Sequence, residues 1–280
     1  MFQRVAAVGL GLIGASMAAG LRRTGSYVVG FDAVPASVET ALDRGLVDEG
    51  AESLAQAVKG ADIVVLAVPV LAIVDLLPTV DAHLSDAAVL IDTGSVKTPI
   101  VRAMAGLRSA ERAVGGHPLA GKEQAGVEAA DPDLFRDRAF LLVPSDRTAD
   151  RTLGCASALA ESLGARPAVV DAQRHDCVLA RTSHLPQILS TALALSLDPE
   201  DMSLAGPGLR DMIRLAGSEP AMWRDILLAN RQQVLDASLR CMDRLEELVR
   251  VIESADPAGI ESLMRQGQAS FAQLGSGVPG

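Results

Sequence analysis

Short β-branched and aliphatic runs alternate with stretches of helical periodicity along the first two-thirds of the chain. Residues 4–8, 27–31, 63–67, 88–91, 139–143 and 168–170 read as strands, and residues 12–24, 36–44, 71–83, 98–107 and about 149–163 read as helices. The run Ile63-Val-Val-Leu-Ala67 is apolar at every position, the pattern of a strand covered on both faces. The stretch around Gly115-Gly116 reads as a glycine-rich loop. Strands and helices in this alternation predict an α/β fold with a doubly wound, mainly parallel sheet of Rossmann type. Near Asp171 the pattern changes. From there to Gln273 helical periodicity dominates, punctuated by Asp198-Pro199, Gly206-Pro-Gly208, Pro220 and Asp256-Pro257. Residues 220–254 are expected to form one long helix capped by Ser218 or Glu219. The expected organisation is a nucleotide-binding domain over residues 1–171 and an all-α domain over residues 172–280, ending in a frayed tail from Gly275.

Composition narrows the function classes. With 49% hydrophobic residues a sizeable core can form, and with one Trp, one Tyr and five Phe that core is aliphatic. A formal net charge of −10 repels phosphate backbones, so nucleic acid is not the expected partner. Cys155, Cys177 and Cys241 are widely spaced, which predicts neither a metal site nor a disulfide framework and fits a reducing, cytoplasmic setting. Residues 5–21 carry no charge and superficially resemble a signal peptide, but Gly9, Gly11, Gly14 and Gly20 interrupt them. A strand, a glycine turn and a helix explain the stretch better, and no other stretch is long enough for a membrane span.

Gly9-Leu-Gly-Leu-Ile-Gly14 follows the first strand and opens the first helix. Gly9 permits a tight turn, Gly11 lets the backbone approach a pyrophosphate, and Gly14 allows close helix–strand contact. The free N–H groups at the helix start then face the anion. Asp32 ends the second strand 18 residues after Gly14, where a carboxylate can accept from both ribose hydroxyls and repel a 2′-phosphate. This favours NAD as the cofactor, with Leu12, Ile13, Val68 and Pro69 as further cofactor-binding positions.

Four later motifs occur in order. They are Asp92-Thr-Gly-Ser-Val-Lys97, Gly115-Gly-His-Pro-Leu-Ala-Gly121, His175-Asp176 with Ser183-His-Leu-Pro186, and Arg210-Asp-Met-Ile-Arg-Leu-Ala216 ahead of Met222-Trp-Arg-Asp-Ile226. Together they resemble the prephenate/arogenate (cyclohexadienyl) dehydrogenase family of tyrosine biosynthesis. The resemblance implies NAD-dependent oxidative decarboxylation of prephenate, with arogenate as the alternative substrate, and a homodimer formed through the helical domain. It matches His117 to the family's catalytic base, a role suited to imidazole near neutral pH. Ser95 becomes its partner at the substrate hydroxyl, and Arg214 the cation for a substrate carboxylate, where a guanidinium offers a bidentate fork. Ser183 and His184 are expected to line the pocket. Glu123 resembles a rim carboxylate near Arg214. Many members of the family read Ser-His-Leu-Pro-His where this chain has Gln187, so its substrate preference stays open. Trp223 is expected to pack near the site, Lys97 to orient the loop around Ser95, and His175-Asp176 to begin a helix without chemistry.

Other readings fit less well. A β-hydroxy-acid dehydrogenase of the same plan needs a lysine on the first long helix of the second domain, and residues 171–196 contain none. A Ser–His nucleophilic pair lacks a nucleophile elbow. A nucleotide-binding module without chemistry does not account for His117, Ser95 and Arg214 together.

Overall fold

The computed structural model describes residues 2–122 and 124–275. Among them one sheet is built from β1 (Arg4–Val8), β2 (Tyr27–Phe31), β3 (Glu49–Gly50), β4 (Ile63–Leu66), β5 (Val89–Asp92), β6 (Ala113–Pro118), β7 (Ala139–Val143) and β8 (Arg166–Val169). The strand order is β3-β2-β1-β4-β5-β6-β7-β8, and every pair is parallel except β6–β7. Helices α1 (Leu12–Arg23), α2 (Pro35–Asp43), α3 (Leu54–Val58), α4 (Val70–His83), α5 (Thr98–Ala105) and α6 (Asp150–Ser162) connect the strands. The strand order reverses between β1 and β4, the point at which doubly wound sheets open a crevice at their carboxyl edge.

Alternation along the strands distributes the core between the two faces. Val5 and Ala7 of β1, Ile63 and Val65 of β4, and Val89 and Ile91 of β5 join Met17, Leu21, Phe140 and Leu159 on one side. Ala6, Val8, Val64, Leu66 and Leu90 join Ile73, Leu77, Ile100 and Met104 on the other.

The stretch expected to be a loop around Gly115-Gly116 is instead strand β6, and His117 lies on it. Both glycines mark close strand approach here. A Cβ on Gly116 would stand 2.4 Å from the Asp92 carbonyl oxygen, and one on Gly115 would stand 3.0 Å from the Val143 carbonyl oxygen. Beneath them the fully buried Lys97 ammonium pairs with the Asp92 carboxylate and donates to the Gly116 carbonyl oxygen at 2.7 Å. Asp92 also accepts from the N–H groups of Gly94 (2.7 Å) and Gly116 (3.1 Å), so the pair locks the end of β5 to β6.

Beyond the sheet run α7 (Ala172–Leu179), a π-helical turn (Ala180–His184), α8 (Leu185–Leu195), a 3-10 turn (Pro199–Leu204), α9 (Pro207–Ile213), a second 3-10 turn (Arg214–Gly217), α10 (Pro220–Ala229), α11 (Arg231–Glu253) and α12 (Pro257–Gly275). Glu219 is the cap of α10, accepting from the N–H groups of Ala221 and Met222. The single helix expected over residues 220–254 is broken at Asn230. That residue leaves helical geometry (φ −109°, ψ 27°) while its side-chain amide donates to the Asp176 carbonyl oxygen at 2.8 Å. Trp223, Ile226 and Ala229 of α10 pack on the α4–α5 side of the sheet core.

The chain falls into two compact units that part between Arg231 and Gln232. No helix among the described residues is long and apolar enough to cross a membrane.

Removing Lys97 should be costly because Asp92 would remain buried and unpaired. We expect Lys97→Met to lower the unfolding free energy by roughly 3–5 kcal/mol in urea titration. Wild-type stability in that variant would contradict the structural role of the pair.

Candidate active site

At the carboxyl end of β1 the chain turns through Gly9, at φ +91°, whose N–H donates to the Phe31 carbonyl oxygen at 2.8 Å. Two of the three motif glycines answer to the fold itself. A Cβ on Gly9 would lie 2.4 Å from the Ala67 carbonyl oxygen, and one on Gly14 would lie 1.8 Å from the Gly9 carbonyl oxygen. Gly11 differs: a Cβ there would meet nothing within 4 Å. It caps α1 in an extended conformation without a side-chain hydrogen bond, so no side chain of the cap residue covers the first N–H groups of α1. The protein's own packing does not require glycine at position 11, whereas an anion seated on the helix start does.

Asp32, just after β2, is held across this turn. One carboxylate oxygen accepts from Leu10 N–H at 2.7 Å and the other from Val34 N–H at 2.8 Å. Each oxygen keeps a lone pair for a hydroxyl donor. Val34, not Asp32, caps α2. Val68 and Pro69 follow β4, with Pro69 at the start of α4 and Val68 beside Gly9. These residues fit a dinucleotide: an open helix start for the pyrophosphate and an oriented carboxylate for a ribose.

Ser95 and His117 lie at the same edge of the sheet. Ser95 sits half-buried between the anchored residues Asp92 and Lys97, and His117 is the penultimate residue of the adjacent parallel strand β6. His117 Nδ1 stands 2.9 Å from His175 Nε2, with the rings tilted by 58°. His175 is buried, and its Nδ1 lies 2.8 Å from Asp176 Oδ1. The Asp176 carboxylate also accepts from the N–H groups of Lys97 (2.7 Å) and Thr98 (2.8 Å) at the start of α5. A continuous polar chain therefore runs from His117 through His175 to a carboxylate on a helix N-terminus.

The electrostatics of this chain are one-sided. Burial drives the His117 pKa well below the ordinary 6.5, and its electrostatic interactions with His175, Lys97 and His184 act in the same direction. Burial alone would raise the Asp176 pKa. Hydrogen bonds from His175, Lys97 and Thr98 outweigh it and hold the carboxyl below its ordinary value. The expectation that His175-Asp176 begins a helix is corrected. Asp171 caps α7 by accepting from Arg174 N–H at 2.8 Å, while Asp176 serves the N-terminus of α5, more than seventy residues earlier.

The other expected pocket residues divide. His184 is buried on the π-helical turn, and burial pushes its pKa down to about 4. Its Nδ1 lies 3.2 Å from the Asn230 side-chain amide, and its ring meets the Trp223 ring edge-on. Ser183 precedes it, half-buried. Gln187 is buried and turned toward the segment that carries Arg214: its amide donates to the Leu215 carbonyl oxygen at 2.8 Å. Ser190 adds a contact by accepting from Ala216 N–H at 3.0 Å. Arg214 opens that 3-10 turn and is exposed. Glu123 lies outside the described residues. No cluster suited to a metal ion occurs among those described.

A family model described as prephenate dehydrogenase, nucleotide-binding domain, matches residues 17–169, and one described as prephenate dehydrogenase, dimerization domain, matches residues 171–266. The prephenate dehydrogenase of Bacillus subtilis is 32% identical, over 89% of this chain and 70% of that protein. Among solved structures, prephenate dehydrogenase from A. aeolicus in complex with hydroxyphenyl propionate and NAD+ superposes with a TM-score of 0.90. It is 30% identical and covers 98% of this chain and 99% of its own. Synechocystis arogenate dehydrogenase superposes with a TM-score of 0.81 at 30% identity, covering 97% of this chain and 100% of its own.

The glycine geometry predicts separable effects. Gly14→Ala should lower the melting temperature, because its Cβ collides with backbone. Gly11→Ala should keep wild-type melting while weakening NAD+ binding at least tenfold by calorimetry. Equal NAD+ affinity in Gly11→Ala and wild type would contradict the assignment of the open space at the start of α1.

Proposed function

The chain belongs to the prephenate dehydrogenase family, and from that membership we propose that it oxidatively decarboxylates prephenate with His117 as the base. The observation that carries this reading is the engagement of His117 Nδ1 by His175, at the sheet edge shared with the glycine turn and Ser95. NAD+, when bound at that turn, supplies the acceptor for the hydride leaving the ring carbon that bears the hydroxyl. Gly11 and the helix start hold its pyrophosphate, and Asp32 holds its adenosine ribose, with Val68 and Pro69 bordering the turn. His117 Nε2 takes the hydroxyl proton, and Ser95 aligns that hydroxyl. Loss of the ring carboxylate as carbon dioxide then makes the ring aromatic, which draws the reaction forward. Arg214 holds a substrate carboxylate, Ser183 and His184 line the pocket, and Gln187 steadies the turn that begins with Arg214. Glu123 is proposed for the rim.

Arogenate is the second reading. The likeness to Synechocystis arogenate dehydrogenase supports it, whereas Gln187, which stands where many members of the family carry histidine, decides neither way, because an amide accommodates an ammonium as readily as a keto group. Residues 1–171 are proposed as the coenzyme domain and residues 172–280 as the substrate and dimerisation domain, a division supported by the limits of the two family models. The partner is proposed to be a second copy. Along α11 the side chains of Leu235, Leu239, Met242, Leu245, Val249 and Ile252 are exposed at three- and four-residue spacing.

NADH formation with prephenate and arogenate supplied in parallel tests the reaction. Turnover of either supports the dehydrogenase reading and ranks the two substrates; turnover of neither, with NAD+ bound, contradicts it. His117→Asn should lower kcat by about 10²–10⁴-fold. Arg214→Ala should act on KM, costing roughly 2–5 kcal/mol of substrate binding. Because the His117 pKa is lowered, the base is neutral at and above neutral pH. Activity should therefore be lost only as pH falls well below 6.5; an acid limb centred at or above 6.5 would contradict this. Light scattering should give twice the chain mass of 29.1 kDa, and a monomer at micromolar concentration would reject the α11 seam.

A further inference from the structure

We infer that His175 and Asp176 are positioning residues that hold His117 as its Nδ1–H tautomer, aim the bare Nε2 at the substrate hydroxyl, and stabilise the imidazolium while it holds the substrate's proton. The inference rests on the dehydrogenase reading above, but its first readout does not.

Donor and acceptor arithmetic along the chain carries it. An ionised carboxylate only accepts, and Asp176 accepts from the backbone N–H groups of Lys97 and Thr98 and from His175 Nδ1. His175 must therefore carry its proton on Nδ1. An imidazole with one ring proton has a bare second nitrogen, so His175 Nε2 accepts, and the donor 2.9 Å away is His117 Nδ1–H. His117 Nε2 is then the lone pair left for chemistry. Without this chain either nitrogen of His117 could carry the proton, and one of those two forms is no base at the substrate.

The far end of the chain shows what it does with charge. Asp176 is 2% exposed and is closed off by two backbone amides at the start of α5. The chain stops there and does not reach solvent, so it holds charge and does not conduct protons away. The reaction asks for that arrangement. Oxidation removes a hydride from the carbinol carbon and a proton from its hydroxyl. When the carboxylate leaves as carbon dioxide, its electron pair enters the ring and completes a phenolate at the same oxygen. The phenolate needs one proton, and the one on His117 Nε2 is within reach. The proton is thus lent and returned, with no net release, and only a transient positive charge on His117 has to be stabilised. Asp176, relayed through His175, supplies the opposing charge. Among the described residues, the other charged and titratable groups around His117 are Lys97, paired with Asp92 beneath β6, and the buried His184.

The chain has four histidines, so their ring nitrogens can be resolved in a ¹⁵N-histidine sample saturated with NAD+, with His117 assigned by its loss in His117→Asn. The expected wild-type signature is a protonated Nδ1 and a bare Nε2 on His117. A protonated Nε2 overturns the proposal, whatever the substrate proves to be. His175→Leu removes the acceptor and should mix the two tautomers and lower kcat about 100-fold or more, while KM for NAD+ stays within threefold. His175→Gln, whose amide can donate to Asp176 and accept from His117, should keep the tautomer and recover most of the lost orientation. A His175→Leu enzyme with wild-type kcat, or a His175→Gln enzyme no better than a folded His175→Leu, overturns the proposal. Should His175→Leu fail to fold, the wild-type and His175→Gln spectra decide.

Discussion

One buried carboxylate organises this protein. Asp176 sits on α7, yet it satisfies the amides of Lys97 and Thr98 at the start of α5, on the sheet side of the molecule. The same oxygen that meets Lys97 N–H also meets His175, and His175 meets His117. Burying an ionised group is costly without such partners, and Asp176 has three donors. The interaction that fastens the helical segment to the sheet thus also reaches, through His175, the proposed base His117, so this polar chain cannot be assembled unless the two segments are docked.

Below that bridge lies a second one. Lys97 is fully buried against Asp92 and the Gly116 carbonyl oxygen, which fixes β5 against β6 one residue before His117. Lys97 therefore works from both ends, its backbone held by Asp176 and its side chain holding the strand that carries His117. On the other wall, Gln187 and Ser190 of α8 clasp the turn that begins with Arg214. The neutral amide at position 187 is used inside the wall, which fits a chain that carries glutamine where histidine is common in its family.

Much of the fold was legible because burial on both faces leaves plain apolar runs, and β1, β2 and β7 match expectation residue for residue. Strand β6 was hidden because Gly115-Gly116 looks like a loop, while the requirement for glycine comes from Asp92 and Val143, which are distant in sequence. The break at Asn230 was hidden because helical periodicity continues through it, and what holds the bend is a bond to Asp176, 54 residues earlier. The glycine turn and Asp32 were legible as local geometry. The His117–His175 contact spans 58 residues and the Asp176–Lys97 contact 79, and neither leaves a trace in periodicity. The one available hint was an acid next to a histidine in the middle of a helix, already capped by Asp171.

Amide hydrogen exchange at Lys97 and Thr98, compared between the wild type and Asp176→Ala, tests the central role of this carboxylate most directly. Charge-assisted hydrogen bonds are worth about 1.5–3 kcal/mol, so both amides should exchange roughly tenfold to a hundredfold faster in the variant while β4 keeps its protection. Unchanged exchange at both amides would mean that Asp176 does not hold the start of α5, and the coupling between docking and the orientation of His117 would fall with it.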